Sequence, residues 1–467
     1  MATLTSLIDM SRSALQADQE ALNITSTNVA NQNTEGYTRE VAVWQSSDLV
    51  TINGNTYTTD GGVTAVSQRD RILEQQVQQQ TQTQAQSGAL ETALEQVQNV
   101  FGLTSTSSSA ITTDIGSAMD SFFASLSALE SSPSDTPTRQ SVIEAAQTLT
   151  AAFNSASNEL AQVSSSLDQQ AGSIVGQVNT LTKTIASLNQ QISSISPDQD
   201  AGVLEDKRQA AIAQLSQYVG LNQISTEHNG ITLTTSNGAV LVAGNQSYAM
   251  TTAQISGVTH IFAGAETEDV TSGLTGGSLG GVLQARDQVL PGFVNTLDGL
   301  AYAVGTQVNQ QNASGLDRNG NPGQAIFTLP GSSNGAAGAI TVATTDPKVI
   351  AAAATGEGST GNGNATLLSG ISTSNIVGGD TASGYYASLL AQIGNSVSGA
   401  TTDNLSQQAV LTQLTTQRDS LSGVSLDDEA ANLTQYQRAY QAAAKVFTVA
   451  DQVMASALNL GVETTVS

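Results

Sequence analysis

The two ends of the chain constrain its fold most strongly, because both repeat apolar residues at helical spacing. Near the N-terminus apolar residues recur at steps of three and four, which places them on one helical face. They are Leu4, Leu7, Ile8, Ala14, Leu15, Ala21 and Leu22. The pattern predicts an amphipathic helix from residue 4 to about residue 30. Since an isolated helix of this length is marginal in water, it needs a partner.

A second apolar pattern, near the C-terminus, has a period of seven. Large apolar residues lie at Leu426, Leu433, Tyr440, Phe447 and Met454, and Tyr436, Ala443, Ala450 and Ala457 follow the last four of them by three residues. This seam of large residues and alanine lets a partner helix approach closely. Ser425 and Asp428 indicate a capping box at its start. Loop-closure entropy grows slowly with length, so the two ends can pair across about 400 residues.

Composition excludes several classes of function. The net charge of −25 disfavours nucleic acid as a partner. Cysteine is absent, which excludes disulfides, thiolate zinc sites and cysteine nucleophiles. The N-terminal residues lack the basic and apolar regions of a cleaved signal peptide, and no apolar run is long enough to span a membrane. We therefore expect no membrane partner, and export only if a separate machine carries the chain.

The interior changes character along the chain. Residues 65–215 carry helical periodicity, and residues 221–272 carry short β-rich runs with turn signals at Asn229-Gly230 and Asn237-Gly238. A helix is predicted again over 279–312, bent near Pro291. Residues 313–380 favour two or three short strands, and a last helical run covers 384–421. The fold class predicted is α+β, elongated and mainly helical, with a small inserted β domain.

Signals for chemistry are weak. The stretch "GGSLG" fits a nucleophile pattern at Ser278, but the only histidines, His228 and His260, precede that serine instead of following it. The same histidines lack a third metal ligand at recognisable spacing. The stretch from Asp317 resembles a calcium loop without its glycine and glutamate, and favours a polar turn, with a weak ion site left open. The tract "EQQVQQQTQTQAQ" is interpreted as a solvated helix face. We predict no catalytic residue, metal or cofactor.

The stretch "NVANQNTEGYTRE", residues 28–40, ends the first helix. Its amides and Gly36, at a position suited to positive φ, turn the chain away from the helix. This stretch resembles the signature that follows the first helix of flagellar rod, hook and hook-associated proteins. The tail "SGVSLDDEAANLTQYQRAYQAAAKVFTVADQVMASALNL" is similar to the last helix of the flagellar hook-associated protein 1 family, which forms the hook–filament junction. "FFASLSALESSPSDTPTRQSVIEAAQTLTAAFN", "LEDKRQAAIAQLSQYVGLNQI" and "GGSLGGVLQARDQVLPGFVNTLDGLA" resemble its helical domain.

The resemblance implies an extracellular structural subunit of the bacterial flagellum and not an enzyme. Such proteins are exported through the flagellar type III apparatus without a cleaved signal peptide. The implied partners are the hook protein, the second hook–filament junction protein, an export chaperone, and further copies of the chain in the junction ring. Neither nucleic acid nor a membrane is implied. The terminal segments of such proteins order on assembly, whereas the sequence alone equally allows a hairpin that closes a monomer.

The domains expected are a terminal coiled coil (1–60 with 422–467), a helical body (61–220 with 273–421) and the inserted β domain (221–272). The middle is short for the family. The motif residues carried over are Asn28, Asn31, Thr34, Gly36, Tyr37 and Arg39. For Tyr37 and Arg39, loop anchoring and an intersubunit contact stay open. The residues expected to pack in the terminal helices are Leu4, Ile8, Leu15, Leu22, Leu426, Leu433, Tyr436, Tyr440, Phe447 and Met454.

Two other functions remain open at the level of sequence. A rod or hook protein of the same axial class would carry the same N-terminal motif. A secreted hydrolase would use Ser278 as its nucleophile.

Overall fold

Helices dominate the computed structural model, and small antiparallel sheets complete an α+β fold, which confirms the predicted fold class. The structure describes residues 2–34, 36–45, 49–52, 55–58, 62–103, 114–195, 201–225, 230–264, 268–358 and 360–462. The helices are α1 (Ala2–Asn31), α2 (Arg71–Val100), α3 (Ile115–Ser131), α4 (Thr136–Ser193), α5 (Gly202–Tyr218), α6 (Gly277–Gln284), α7 (Leu290–Ser314), α8 (Ala336–Ala339), α9 (Gly363–Ser369), α10 (Ala382–Ser422) and α11 (Leu426–Val462).

The strands pair only in antiparallel fashion within the described ranges. Their sheets are β1–β4, β2–β3, β5–β6–β7–β8, β11–β10–β9 and β12–β13. The strands are β1 (Glu40–Trp44), β2 (Leu49–Ile52), β3 (Asn55–Thr58), β4 (Val63–Ser67), β5 (Leu221–Ser225), β6 (Ile231–Thr235), β7 (Val240–Ala243), β8 (Gln246–Ser247), β9 (Thr251–Ile255), β10 (Val258–Ala263), β11 (Glu268–Asp269), β12 (Phe327–Thr328) and β13 (Thr341–Val342).

The 58-residue helix α4 is the centre of the main core. Its start is fixed by Asp135, whose side chain accepts a hydrogen bond from the Thr138 amide, and a proline lies in its first turn. Its buried apolar residues recur at helical spacing and pack against α3, α5, α6 and α7. Phe122 of α3 also contacts Phe327 edge-on, with the ring centroids 5.5 Å apart. One continuous core thus supports the two sheets built from β5 to β11.

The β-rich stretch predicted over 221–272 contains β5 to β11. Gly238, in the predicted Asn237-Gly238 turn, has a φ of 91°, whereas Asn229 lies outside the described residues. Asn189 of α4 donates hydrogen bonds of 2.9 and 2.8 Å to the Ile231 and Gly244 carbonyls. These bonds fix the four-stranded sheet on the helical core. The boundaries of a separate β domain stay a prediction.

The glutamine tract of α2 has an exposed face, at Gln75, Gln76, Gln79 and Thr83, but its other side chains make tertiary hydrogen bonds that the sequence interpretation did not include. Gln80 Nε2 donates to Gln407 Oε1 of α10 at 2.7 Å. One turn later, Gln84 Nε2 donates to Asn404 Oδ1 of the same helix at 3.1 Å. Side chains four residues apart share a helical face, so this face of α2 is joined to α10 by amides.

The intervening glutamines of the tract contact other elements. Gln82 exchanges two hydrogen bonds with the Leu221 backbone, at 3.1 and 3.3 Å. Gln86 Oε1 accepts from the Gly276 amide at 3.0 Å, and its Nε2 donates to Gln284 Oε1 at 2.9 Å. A uniformly polar tract therefore connects α2 to α10 on one side and to β5 and α6 on another. Composition alone does not reveal these partners.

The helix predicted over 279–312 contains an irregular segment. It consists of α6, a π-helical turn at Ala285–Val289, and α7, which has Pro291 in its first turn. The π-helical turn thus lies just before the proline where a bend was predicted.

The strands β1 to β4 were not predicted at all. They follow the motif of residues 28–40 and pack partly against α1.

Candidate functional site

The terminal helices α1 and α11 pack against each other. Among the described apolar residues of this pair, Ala21 and Ala450 are the most buried, at 0% and 2% exposed. Seven of the large residues expected at the seam are half-buried: Ile8, Leu15, Leu22, Leu433, Tyr436, Phe447 and Met454. Leu426 and Tyr440 are exposed, at 48% and 37%. Leu4 lies in α1, and its side chain is outside the description. A single partner helix therefore covers the seam incompletely.

A second apolar face runs along α11. Val446, Val449 and Val453 are 48%, 59% and 47% exposed. They line a mainly apolar groove together with Lys445 and Ala450 of α11 and Leu7 of α1. At about 100° per residue, this valine stripe lies about 120° around the helix from the seam that faces α1. Helix α11 thus offers apolar surface in two directions, and α1 only borders the second of them, at Leu7.

The motif residues close the C-terminal end of α1. Asn31 Nδ2 donates to the Thr27 carbonyl at 3.0 Å, and Thr34 Oγ1 donates to Asn31 Oδ1 at 3.3 Å. Gly36 has a φ of 80°, a conformation that disfavours residues with a Cβ atom. The chain then turns back so that β1 runs beside α1.

Asn28 joins this turn to both terminal helices. Its Oδ1 accepts from Tyr37 Oη at 2.8 Å and from the Glu40 amide at 3.0 Å. Its Nδ2 donates to the Glu40 carbonyl at 2.7 Å and to Glu429 Oε2 of α11 at 3.3 Å. The side chain is 1% exposed, so a buried amide has all its hydrogen-bonding capacity filled. An aspartate or a leucine would leave several of these groups without partners.

Glu429 and Arg39 form the ion pair at the centre of the site. Arg39 Nε lies 2.7 Å from Glu429 Oε1, and the Glu429 side chain is only 2% exposed. The two oxygens of this carboxylate therefore bind Arg39 and Asn28, both from the motif. Sequence reasoning missed Glu429. Its only signal is the acidic run "LDDE" at the start of α11, in which it is the one buried member.

The backbone of Arg39 ties in a third segment. Its amide donates to the Ser422 carbonyl at 3.0 Å, and its carbonyl accepts from the Gln68 amide at 2.9 Å. Ser422 Oγ donates to the Gln68 carbonyl at 3.0 Å. The last residue of α10, the residue after β4 and the motif are thereby held together. Asp428 N also donates to Ser425 Oγ at 3.4 Å, which is the predicted cap of α11.

Tyr37 sits in an acidic and half-buried environment. Burial raises the pKa of Tyr37 above its ordinary value, and the negative charges of Glu40, Asp206 and Glu429 raise this pKa further. Asp206 of α5 also accepts from the Thr38 amide at 3.3 Å and pairs with Arg69. Tyr37 and Arg39 thus both anchor the motif within one chain in this structure.

A small apolar cluster lies beside the polar site. It contains Ala21 and Ile24 of α1 and Ala42 of β1. Tyr436 of α11 packs against it and contacts the Trp44 ring, with centroids 5.5 Å apart. Trp44 remains 50% exposed. The site therefore combines a buried network of hydrogen bonds and an ion pair with a half-exposed aromatic side chain, Trp44.

The other candidate residues do not assemble into a reactive site among the described residues. Ser278 lies inside α6, and its buried hydroxyl makes no hydrogen bond with the described part of the chain. His260 Nδ1 lies 2.7 Å from Asp269 Oδ2 in the β10–β11 pair, whereas His228 is outside the description. Asp317 Oδ1 accepts from the Asn319 and Asn321 amides, as in a polar turn.

Neither a metal site nor a membrane span was found in the part of the chain that the structure describes. No three histidine, aspartate or glutamate side chains come together there as potential ligands. None of the described helices combines the length and the apolar character that crossing a bilayer requires.

Three parts of the chain match known protein families. Residues 94–327 match the flagellar hook-associated protein FlgK helical domain, which is half of the chain. The chain belongs to the FlgK family. Residues 8–38 match the flagella basal body rod protein family, and residues 416–460 match the C-terminal region of the flagellar basal body rod FlgEFG proteins. The two terminal matches include Asn28 and Glu429, so the site joins the two regions shared with rod proteins.

Individual relatives agree with the family. The chain is 27% identical to flagellar hook-associated protein 1 of Salmonella typhimurium, over 98% of this chain and all of the relative. It is 28% identical to flagellar hook-associated protein 1 of Bacillus subtilis, over 97% of each. The Salmonella alignment runs over 561 positions, although this FlgK family member has 467 residues. The relative therefore has segments without a counterpart here, as the short middle indicated.

A solved structure supports the fold. The flagellar hook junction protein FlgK from Burkholderia pseudomallei matches with a TM-score of 0.67 and 20% identity, over 74% of this chain and all of that chain. At this identity the match establishes the fold that this FlgK family member shares, and nothing about its contacts.

Proposed function

We propose that the chain is a structural subunit of the bacterial flagellum that forms the junction between hook and filament. The names of its full-length relatives support this function. The observation that carries the mechanism is the second apolar face of α11, which α1 leaves uncovered. Apolar stripes on a paired helix are surfaces for further helices. A subunit with such a stripe is suited to assembly into a polymer.

The terminal helices are the proposed assembly elements. Within a subunit, α1 covers the side of α11 that carries Ala443, Ala450 and Phe447. Between subunits, the stripe of Val446, Val449 and Val453 packs against the terminal helices of a neighbouring copy in the junction ring. Burying a fully exposed valine contributes about 1.5 to 3 kcal/mol. These three are already about half-buried, so their remaining exposure offers roughly half of that amount each. This burial adds to the other contacts between copies, which together must exceed the cost of association.

The proposed partners follow from a position between hook and filament. They are the hook protein on one side, the second hook–filament junction protein on the other, and an export chaperone before assembly. The proposed location is extracellular, in the flagellum, after type III export without a cleaved signal peptide. Neither an enzymatic activity nor a cofactor is part of this function.

Ordering on assembly is the remaining part of the proposal. The incomplete cover of the seam supports it, because partly exposed residues such as Tyr440 and Leu426 give a free subunit little energy to hold α1 and α11 together. Neighbouring copies would add the missing burial. The Arg39–Glu429 pair then fixes the register in which the two helices meet.

Hydrogen exchange tests this mechanism. Backbone amides of residues 4–30 and 426–460 are compared between the free chain and the chain bound on isolated hooks. Protection that appears only on hooks is expected. Full protection in the free chain would mean that the ends form a closed hairpin, and ordering on assembly would be wrong.

Complementation tests the location. Expression in a strain that lacks its hook-associated protein 1 should restore filament attachment, and expression in strains that lack a hook or rod protein should not. The match of residues 94–327 to the FlgK helical domain argues against the rod and hook alternatives. The hydrolase alternative would require Ser278→Ala to abolish an esterase or peptidase activity. Unchanged turnover in that variant removes it.

A further inference from the structure

The outer sides of the two terminal helices carry opposite charge. The outer side of each helix is the side that points away from the other helix of the pair. Each outer side has two charged residues and one apolar residue, and all six are exposed. The acidic edge of α1 consists of Asp9, Met10 and Glu20, and the basic edge of α11 consists of Arg438, Lys445 and Val449.

Helical geometry places the basic edge opposite to the seam of α11. Tyr436 and Phe447 are half-buried on the side of α11 that faces α1. Arg438 follows Tyr436 by two residues, and Lys445 and Val449 each lie two residues from Phe447. Because an α-helix turns by about 100° per residue, a step of two places a side chain about 160° around the helix. All three residues of the basic edge therefore point away from α1.

The same geometry holds for α1, whose half-buried Ile8 and Leu22 face α11. Glu20 precedes Leu22 by two residues and Met10 follows Ile8 by two, so both lie about 160° from the seam. Asp9 follows Ile8 by one residue and lies about 100° from it. The acidic edge therefore points away from α11, on the opposite side of the pair from the basic edge.

Glu20 and Arg438 lie at nearly the same height along the helix pair. Asn28 Nδ2 donates to Glu429 Oε2, so these two residues are level with each other. Glu20 is eight residues before Asn28, and Arg438 is nine residues after Glu429. At about 1.5 Å per residue in two antiparallel helices, the heights of Glu20 and Arg438 differ by about 2 Å.

The other ends of the two edges are also close in height. Leu7 of α1 borders the groove that Lys445 and Val449 line. Asp9 is two residues from Leu7 and Met10 is three, so both lie within about 5 Å of its height. Copies in a ring are related by rotation about one axis and stand at equal heights. Opposite edges of neighbouring copies can therefore meet.

The charges of the two edges have no partner of their own. Within the described ranges, none of the four charged side chains forms an ion pair. Arg12, Asp18 and Asp451 lie within about 60° of seam residues and not on the edges. The acids at the start of α11 are at least ten residues from Arg438, about 15 Å along the helix. Both edges are therefore available to a surface of opposite charge.

We propose that the acidic edge of one copy packs on the basic edge of the next copy in the junction ring. The contacts are those of Asp9 with Lys445, of Glu20 with Arg438, and of Met10 with Val449. The contact is head-to-tail, because each partner uses a different surface, and contacts of this kind close rings. The inference rests on the proposed function and identifies the neighbouring surface that covers the valine stripe.

Charge reversal tests the contact on isolated hooks. Asp9→Lys and Lys445→Glu should each lower the amount of bound chain at least about tenfold, because like charges then face each other. The chain with both substitutions again has edges of opposite charge and should bind within about threefold of the unchanged chain. Binding of both single variants at the level of the unchanged chain overturns the proposal.

A mixture of the two single variants separates a contact between copies from a contact within one chain. In alternating order, each Asp9→Lys copy meets the substituted edge of a Lys445→Glu copy, and the two unsubstituted edges meet each other. Equal amounts of the variants should therefore bind hooks at least about tenfold better than either variant alone. Binding no better than that of the single variants would place the contact within one chain and would overturn the proposal.

Lys183→Glu is the matched control. Lys183 is an exposed lysine of α4 that forms no ion pair within the described ranges. This variant has the same change in net charge as Lys445→Glu and should bind hooks as the unchanged chain does. A loss equal to that of Lys445→Glu would mean that net charge and not the basic edge controls binding, which also overturns the proposal.

Cross-linking tests the edges without relying on hooks. The chain contains no cysteine, so a short bismaleimide joins Asp9→Cys and Lys445→Cys copies only through the introduced thiols. Dimers linked between these two positions are expected in a concentrated mixture, identified by peptide mass, and few are expected between Asp9→Cys and Thr448→Cys. Absence of the expected dimers both on hooks and in solution overturns the edge contact. Failure of the unchanged chain to bind hooks instead overturns the junction function.

Discussion

Glu429 is the single residue on which the two ends of the chain converge. Replacing it by alanine leaves Arg39 and Asn28 without their acceptor, and breaking a buried ion pair of this kind costs about 3 kcal/mol. We expect Glu429→Ala to weaken the pairing of α1 with α11 by about that amount in the chain bound on isolated hooks. Amide exchange of α1 and α11 in the bound chain measures the loss.

Asp427→Ala is the matched control, because Asp427 is an exposed acid in the same first helical turn. Its loss should cost less than about 1 kcal/mol through the helix dipole. Equal losses for the two variants would mean that Glu429 acts only as a charge at the helix start and not through its contacts with Arg39 and Asn28.

The raised pKa of Tyr37 predicts that the stability of the folded chain declines at alkaline pH. Its pKa is raised in the folded protein, chiefly by burial, so the folded state keeps its phenolic proton when the unfolded chain loses it. This stability is fully present below the unfolded pKa, about 10, and is lost as pH rises through the folded pKa. Denaturant titrations from pH 8 upward, at several values of pH, should show the decline, and it should be shallower in Tyr37→Phe.

Tyr37→Phe also removes the hydrogen bond to Asn28, which should cost about 1 kcal/mol at neutral pH. Tyr248→Phe controls for the effect of one fewer tyrosine, since Tyr248 lies in the β region, away from the motif. An alkaline decline that is identical in Tyr37→Phe and in the unchanged chain would contradict the assignment.

The residues of the motif could be predicted and their common partner could not. Amides and glycine after a helical pattern indicate a helix end from local chemistry alone. Glu429 is 401 residues from Asn28, and a charged residue on an amphipathic helix is by default assigned to the solvent side. Only the tertiary structure shows which of three consecutive acids turns inward.

At the scale of elements, α2 and α6 approach closely at Gly281. A Cβ atom there would lie 2.3 Å from the Gln86 carbonyl oxygen and 2.9 Å from Ala89 Cβ. Gly281→Ala should therefore force the helices apart and lower the free energy of unfolding by about 1 to 3 kcal/mol. Denaturant titration measures the change.

Gly176→Ala is the control for helix propensity. Gly176 lies in α4, and nothing lies within 4 Å of the position a Cβ would occupy. Alanine should stabilise this position by up to about 1 kcal/mol. The contact between α2 and α6 would not be the limiting feature if both substitutions changed stability in the same direction.

Helices were easier to predict than their polar contacts. The long helices α1, α4, α10 and α11 follow from periodicity, because an apolar stripe must face a core. The strands β1 and β4 escaped prediction since they are short and half exposed, and they pair with each other across the intervening strands β2 and β3. The hydrogen bonds of the glutamine tract could not be predicted for a related reason, because they depend on which helix lies opposite.

At the scale of the whole molecule, the valine stripe of α11 predicts a defect confined to assembly. Val449 is 59% exposed, so Val449→Asp should change the stability of the free chain by no more than about 0.5 kcal/mol. Its sedimentation with isolated hooks should fall at least about tenfold, because a charge would be buried without a partner.

Thr448→Asp places the same charge on the adjacent exposed position, away from the valine stripe. It should leave sedimentation with hooks unchanged. Normal hook binding by Val449→Asp would show that the stripe is not an assembly surface.

Arg39 and Glu429 lie 390 residues apart along the chain. Their ion pair can therefore form only in a chain that includes both terminal segments. Contacts of such long range form late in folding. A chain that ends before α11 would retain Arg39 and Asn28 without an acceptor, and the apolar face of α1 without a cover. Such a chain could not complete the pairing of its ends on the hook, so it would not hold a place meant for an intact subunit.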